Sequence, residues 1–232
     1  MKIITLIALL GLFLISMGIA DDNIDTNDFP LLPSEFVWVY GFIPQDAQVS
    51  HHYTLLNHHK DTITITELIP GCDCTHVPRA PITIPPGEIY TLPVKFDSKT
   101  YRGEVQQDVR IVTDYEPYPE IHVYFALIIG RSPKTVKIDP ISTVFIMGKK
   151  SQKFSLQNLI NEKASVSIKI DHDSGFVVSE SNFELKGNST VEFEISPVWE
   201  NLPYGPHYAA IVIELERKEK FQLTIPVKTN KF

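Results

Sequence analysis

A two-residue period constrains this chain more than any other feature. In "QVSHHYTLLN", residues 48–57, Val49, His51, Tyr53 and Leu55 fall on one face. Ser50, His52, Thr54 and Leu56 fall on the other. Alternation over four to eight residues, rich in Val, Ile, Thr, Phe and Tyr, marks a β-strand with one buried face. The same pattern returns in "DTITITELI", "EIYTLPVKFD", "QDVRIVTD" and "EIHVYFALII". Seventeen prolines and eleven glycines punctuate these runs rather than interrupting them. Beyond the first twenty residues helical periodicity is nearly absent. Short strands separated by turn signals predict an all-β protein built from sandwiches.

The pattern runs twice. "FIPQDAQVSHHYTLLN", "ITITELI", "ITIPPGEIYTLPVKFD", "YRGEVQQDVRIVTD" and "EIHVYFALI" are followed by a second series. It reads "VFIMGKKSQKFSLQN", "SVSIKID", "FELKGNSTVEFEIS", "PYGPHYAAIVIEL" and "KFQLTIPVKT". Asn57 and Asn158 close the second strand of each copy. A repeat near 100 residues is the size of one immunoglobulin-like sandwich, so the chain reads as a tandem pair. The expected division is 33–131 and 134–232, joined at "GRSPKT" and set end to end by so short a link. The mixed-sign run "ERKEK", Glu216 to Lys220, reads as a solvated hairpin tip.

The N-terminus predicts the compartment. "MKIITLIALLGLFLISMGIA" has one lysine, an apolar run, and small residues at Gly18 and Ala20, the pattern of a secretory signal peptide over residues 1–20. The acidic stretch that follows, to residue 32, reads as a flexible arm. The expectation is a periplasmic or secreted protein, with contact to a membrane only if the signal segment stays uncleaved. With 21 basic against 28 acidic residues and a net charge of −7, the chain offers no basic cluster for nucleic acid.

The ordered motifs resemble those of the bacterial family catalogued as domain of unknown function 1573. Val49, His51, Tyr53, Leu55 and Asn57 fill its V-x-H-x-F-x-F-x-N pattern, and Cys72, Cys74 and Thr75 its C-x-C-T. Pro86 with Gly87 fill its P-G, and Gly103, Ile111 and Thr113 its closing run. Asp73 stands where glycine is usual, and the approach from Tyr40 to Phe42 is longer. The resemblance covers residues 30–130, and the second half is similar only as a diverged repeat. It implies an exported immunoglobulin-like domain akin to ASH, major-sperm-protein and PapD-type sandwiches, and no characterised activity.

The two cysteines, Cys72 and Cys74, belong to the first copy alone, so the fold does not depend on them. Three states are open to them. An extended strand sets residues i and i+2 nearly 7 Å apart, at the limit for a disulfide, but Pro70-Gly71 permits a tighter bend. So small a ring stabilises a domain by only about 1.6 kcal/mol. Alternatively Cys72, Cys74 and His76 project to one side as a sulfur–sulfur–nitrogen set for zinc or Cu(I). His58 is the leading fourth ligand among His51, His52, His58 and His59. Free or exchanging thiols are the third state. His51 itself fits the inward face as a core histidine with a satisfied partner, and Trp38 and Trp199 read as packing anchors.

No nucleophile elbow, phosphate loop or zinc-protease motif is present. Asp171, His172, Asp173 and Ser174 form a tempting acid–base cluster, but such residues favour solvated turns. The resulting expectation is a non-enzymatic binding or scaffolding protein with a protein partner, engaged through loops or a sheet edge. It has no cofactor and no small-molecule substrate. The alternative is a metal-handling or thiol-redox protein using Cys72, Cys74 and His76.

Overall fold

The computed structural model describes residues 29–171, 175–218 and 220–232. The expected signal segment, residues 1–20, lies outside them. Among the described residues there is no helix. The first half carries β1 (Leu31–Pro33), β2 (Val37–Ile43), β3 (Gln48–Asn57), β4 (Ile63–Pro70), β5 (Thr75–His76), β6 (Ile82–Ile84), β7 (Ile89–Asp97), β8 (Gly103–Thr113) and β9 (Glu120–Ile129). The second carries β10 (Val136–Asp139), β11 (Thr143–Ile146), β12 (Gln152–Asn158), β13 (Ala164–Ile170), β14 (Phe176–Val178), β15 (Asn182–Leu185), β16 (Thr190–Pro197), β17 (Gly205–Glu216) and β18 (Lys220–Lys231). The charged run read as a hairpin tip is the turn between β17 and β18.

The fold is all-β, two tandem immunoglobulin-like sandwiches. Apart from the β18–β2 pairing described below, each strand of the second half has the same neighbours as its counterpart nine strands earlier. The sheet β1-β3-β7-β5 recurs as β10-β12-β16-β14, and the parallel pair β2–β9 recurs as β11–β18. The alternation seen in the sequence is the burial pattern. Val49, His51, Tyr53 and Leu55 are all essentially inaccessible, as are Ile63 and Ile65 on β4. One core gathers Tyr53, Phe96 and Phe125 with the aliphatics of the first half. A second gathers Phe145, Phe154, Phe193 and the aliphatics of the second. Each such side chain contributes about 1.5–3 kcal/mol by leaving water.

The duplicated asparagines do the same work twice. Asn57 Nδ2 donates to the carbonyls of Asp61 and Ile84 at 3.0 and 2.8 Å. Asn158 Nδ2 donates to those of Glu162 and Lys186 at 2.8 and 3.0 Å. Each side-chain oxygen also accepts the backbone N–H two residues on. A fully buried amide thereby fastens the turn after its strand to the strand that crosses beneath it.

Two expectations are corrected. The arm up to residue 32 is ordered at its end: Leu31 is fully buried within β1, which pairs with β3. Apolar "LLP" has a core to enter, and it does so. The two sandwiches also do not meet end to end. The β18 strand pairs with β2 in parallel, Leu223 opposite Phe42, so that one ten-stranded sheet runs through both halves. Contact is close enough that Ala210 of β17 belongs to the first core and Phe42 packs against the second. Gly41 makes this approach possible. At φ +68° it sits in a bulge of β2, and a Cβ there would stand 2.0 Å from the Gln222 carbonyl oxygen. Thr224 Oγ1 donates to the Tyr40 carbonyl at 2.7 Å across the same junction.

Candidate functional site

The cysteine corner carries the chain from one sheet of the first sandwich to the other. After β4 ends at Pro70, the Gly71 N–H donates to the Asp108 carbonyl at 2.9 Å. The Thr75 N–H closes a turn onto Cys72 O at 3.1 Å, and the Asp97 N–H fastens Cys74 O to β7 at 2.9 Å. This bend brings the Cα atoms of Cys72 and Cys74 to 5.2 Å, and the two sulfurs are bonded. Buried Thr75 sets its hydroxyl 3.3 Å from Cys72 Sγ, donating to a disulfide sulfur that can only accept. Both cysteines are half-buried against the first core.

The candidate metal set is not gathered there. Cys72 and Cys74 are bonded to each other, and His76 is exposed on β5. His76 lies opposite Lys95, which in turn lies opposite Ser50. His58 follows the far end of β3, roughly 26 Å away along that strand at its usual rise per residue. There its Nε2 bonds to the Phe29 carbonyl. Among the described residues no group of three or more His, Cys, Asp or Glu side chains is arranged to hold a metal ion.

A different histidine forms a cluster. His51 points inward from β3, as its alternation requires, but its partners come from elsewhere. Its Nδ1 lies 2.7 and 2.8 Å from the two carboxylate oxygens of Asp171, at the end of β13 in the other sandwich. Its Nε2 lies 3.0 Å from Glu35 Oε1, in the link between β1 and β2. Trp38 stacks on the ring at 4.0 Å between centroids, nearly parallel, and Tyr53 meets it edge-on at 4.5 Å. Tyr53 in turn donates to the Tyr124 carbonyl at 2.6 Å. Of the acid–base group singled out in sequence, Asp171 is therefore buried rather than solvated. Residues 172–174 lie outside the described residues.

Burial by itself lowers the pKa of His51. The hydrogen bonds and charges of Asp171 and Glu35 outweigh it and raise the value above the ordinary 6.5. Burial raises the pKa of Tyr40 and Tyr53; the charge of Asp171 raises Tyr40 further, and those of Glu35 and Asp171 raise Tyr53. The imidazole is enclosed by a carboxylate at each nitrogen, an indole on one face and a phenol at its edge. The arrangement ties the first sandwich to the second through side chains that are almost wholly buried at His51 and Asp171. Around it, Ser50 Oγ donates to the Tyr208 carbonyl at 2.6 Å. Lys95 and Lys228 lie over the Tyr208 ring from the two halves. Beyond, a cleft of about 490 Å³ opens between the Pro44–Gln48 loop and strands β11 and β18.

The outer strands are short. β1, β5, β6, β10, β11, β14 and β15 span two to four residues each. Pro30, Pro33, Pro81, Pro85, Pro133 and Pro140 lie in or beside them. Lys149 folds over β11, its Nζ donating to the Val144 carbonyl at 3.2 Å. Short, proline-flanked and lysine-covered edges resist pairing with another strand, so the expected route of edge addition is disfavoured. What the surface does present is apolar. Ile141, Val144, Ile146, Met147, Tyr204 and Phe232 are each more than half exposed. Register gathers four of them: Ile146 lies opposite Asn230 and Gly205 opposite Lys231, so Ile146, Met147, Phe232 and Tyr204 lie at neighbouring ends of three adjacent strands.

The first sandwich, from the His51 strand through the cysteine corner to Thr113, falls within a family match. Residues 34–126 match the family described as Protein of unknown function (DUF1573). All the motif residues identified in sequence fall inside that span. No curated protein matches the chain. Among solved structures, the E. coli chaperone DraB is 12% identical over 41% of this chain and 54% of its own, with a TM-score of 0.38. A protein of unknown function from Porphyromonas gingivalis W83 is 11% identical, covering 87% of this chain and all of its own, at 0.37. The ASH/PapD-like domain 7 of human CEP192 is 16% identical, covering 44% of this chain and 89% of its own, at 0.36. The chain spans little more than half the length of the chaperones it aligns with. At these identities and scores the likeness stops at the fold.

Sequence reasoning placed His51 correctly as a satisfied core histidine but found neither partner. It missed Glu35 and the apolar strip altogether. "TVFIMGKK" carries the one available signal, an alternating strand whose outward positions are as apolar as its inward ones.

Proposed function

We propose that this is an exported, non-enzymatic binding protein of the periplasm or cell exterior. Its second sandwich docks an acidic polypeptide segment that carries apolar side chains. The observation that carries the reading is the exposed apolar group of Ile146, Met147, Tyr204 and Phe232 at neighbouring ends of β11, β17 and β18, continued by Val144 along β11. Single exposed apolar residues are ordinary, but a contiguous set at one end of a sheet costs solubility unless a partner covers it. The partner's charge follows from the fringe. In a chain of net charge −7, Lys149 reaches the Val144 carbonyl, Lys228 lies opposite Val144 and Lys231 lies over the Tyr204 ring. Lys149 and Lys231 donate to carbonyl and amide oxygens, and Lys228 lies over a tyrosine ring. Their charge is left to complement an incoming acidic segment, which would also speed its association. Export rests on the first twenty residues.

A photo-crosslinking side chain at Tyr204, in the full-length protein in its own cell, tests this. The expected result is one discrete adduct with a different, acidic polypeptide, weakened by salt and lost in Ile146→Glu with the melting temperature unchanged. An adduct with a second copy of the chain, no adduct at all, or an adduct indifferent to Ile146→Glu would overturn it.

A further inference from the structure

The junction between the sandwiches contains a titratable group in a position that only one protonation state can satisfy. Neutral imidazole has one N–H and one lone pair. His51 has a carboxylate within hydrogen-bonding distance of each nitrogen, Asp171 at Nδ1 and Glu35 at Nε2. With both carboxylates ionised, both bonds exist together only when both nitrogens carry protons. His51 is thus a buried cation between two anions, with the indole face of Trp38 stacked against it. The anions belong to different bodies. Glu35 leads into β2 of the first sandwich, whereas Asp171 directly follows β13 of the second, fixed there by its own N–H to the Ala210 carbonyl at 3.1 Å.

We propose that Glu35, His51 and Asp171 form a proton-operated clamp that sets the second sandwich against the first. Among the described residues, the titratable groups of this cluster are Glu35 from the β1–β2 link, Asp171 just after β13 and Tyr53 from the same strand as His51, with Tyr40 of β2 coupled to Asp171. Lys95 of β7 and Lys228 of β18 stand along the same seam over Tyr208. Loss of the proton turns one ring nitrogen into a lone pair aimed at a carboxylate. Where that carboxylate is Asp171, its charge is left buried without compensation. The sign follows from the raised value in the folded protein. The clamp's contribution is fully present below the ordinary histidine value near 6.5, and is lost as pH rises through the higher folded value. Among the described residues, the β2–β18 pairing, the Ser50–Tyr208 and Thr224–Tyr40 bonds, the Lys95–Tyr208 contact and the seating of Ala210 and Phe42 in the opposite cores still cross the seam. The seam is weakened rather than released, and the cleft that both halves line is held by fewer ties.

Trp38 offers a direct reporter, because the chain has two tryptophans and Trp199→Phe leaves only one. An imidazolium quenches a stacked indole more strongly than neutral imidazole does. In the full chain carrying Trp199→Phe, fluorescence is expected to rise in a single-proton transition with its midpoint above about pH 6.5. The melting temperature should fall by several degrees over the same interval. Asp171→Asn keeps the side-chain shape and removes the charge, and is expected to shift the transition to lower pH and flatten the melting profile. His172→Asn tests the neighbouring histidine and should leave both unchanged. A nitrogen-15 spectrum showing the His51 ring neutral at pH 6 overturns the proposal. So does an Asp171→Asn protein that retains the full transition, or a transition abolished by His172→Asn.

Discussion

Replacing Gly41 by alanine tests how the two sandwiches are joined, and the structure supplies its own control. Gly41 adopts φ +68°, and a Cβ built there meets Gln222 of β18 at 2.0 Å from O, 2.5 Å from C and 2.8 Å from its Cβ. A methyl cannot enter unless β2 and β18 separate by more than an ångström. Three costs combine: about 1–2 kcal/mol for an L-residue in the left-handed region, about 1–3 kcal/mol for overpacking, and about 1 kcal/mol for the Thr224–Tyr40 bond that the separation breaks. Gly87 has a similar φ of +74° but nothing within 4 Å of its Cβ position, so Gly87→Ala registers the dihedral cost alone. At roughly 2–4 °C per kcal/mol for a chain of this size, Gly41→Ala should lower the melting temperature by about 10 °C, and Gly87→Ala by only a few degrees. Calorimetry of the two variants beside the parent makes the comparison. Equal losses would mean that β2 and β18 do not approach as closely as described, and the continuous sheet would be wrong.

The paired asparagines should behave as a matched set. Asn57→Ala and Asn158→Ala each strip buried carbonyls of their donors, so each should destabilise by about 2–3 kcal/mol in urea titrations. A harmless change at either position would contradict the common role. The cysteine pair should matter little to stability. Cys72→Ser with Cys74→Ser should cost no more than about 2 kcal/mol, and metal analysis should find the purified parent and variant alike. Stoichiometric zinc or copper in the parent alone would restore the metal reading.

The strands were legible because they are local. A two-residue period places Val49, His51, Tyr53 and Leu55 on one face whatever else the chain does, and burial then follows from the apolar identity of that face. The duplication was legible for the same reason, since it repeats a local pattern down to Asn57 and Asn158. The bend at Pro70-Gly71 could be seen to permit a bridge, but not to require one. The backbone bonds that Cys72 O and Cys74 O accept from the Thr75 and Asp97 N–H groups decide that geometry, and Asp97 is a distant strand's residue.

The rest belongs to the packed molecule. His51 and Asp171 are separated by 120 positions, and no pattern within either strand connects them. Nothing in "YGF" says that Gly41 answers to the backbone of Gln222. An edge strand carries the same alternation whether it faces water or another sheet, so the pairing of β2 with β18 left no mark that a sequence could show. Short-range periodicity determines which side chains turn inward; only the meeting of the two sandwiches determined that a core histidine would become a charged joint between them.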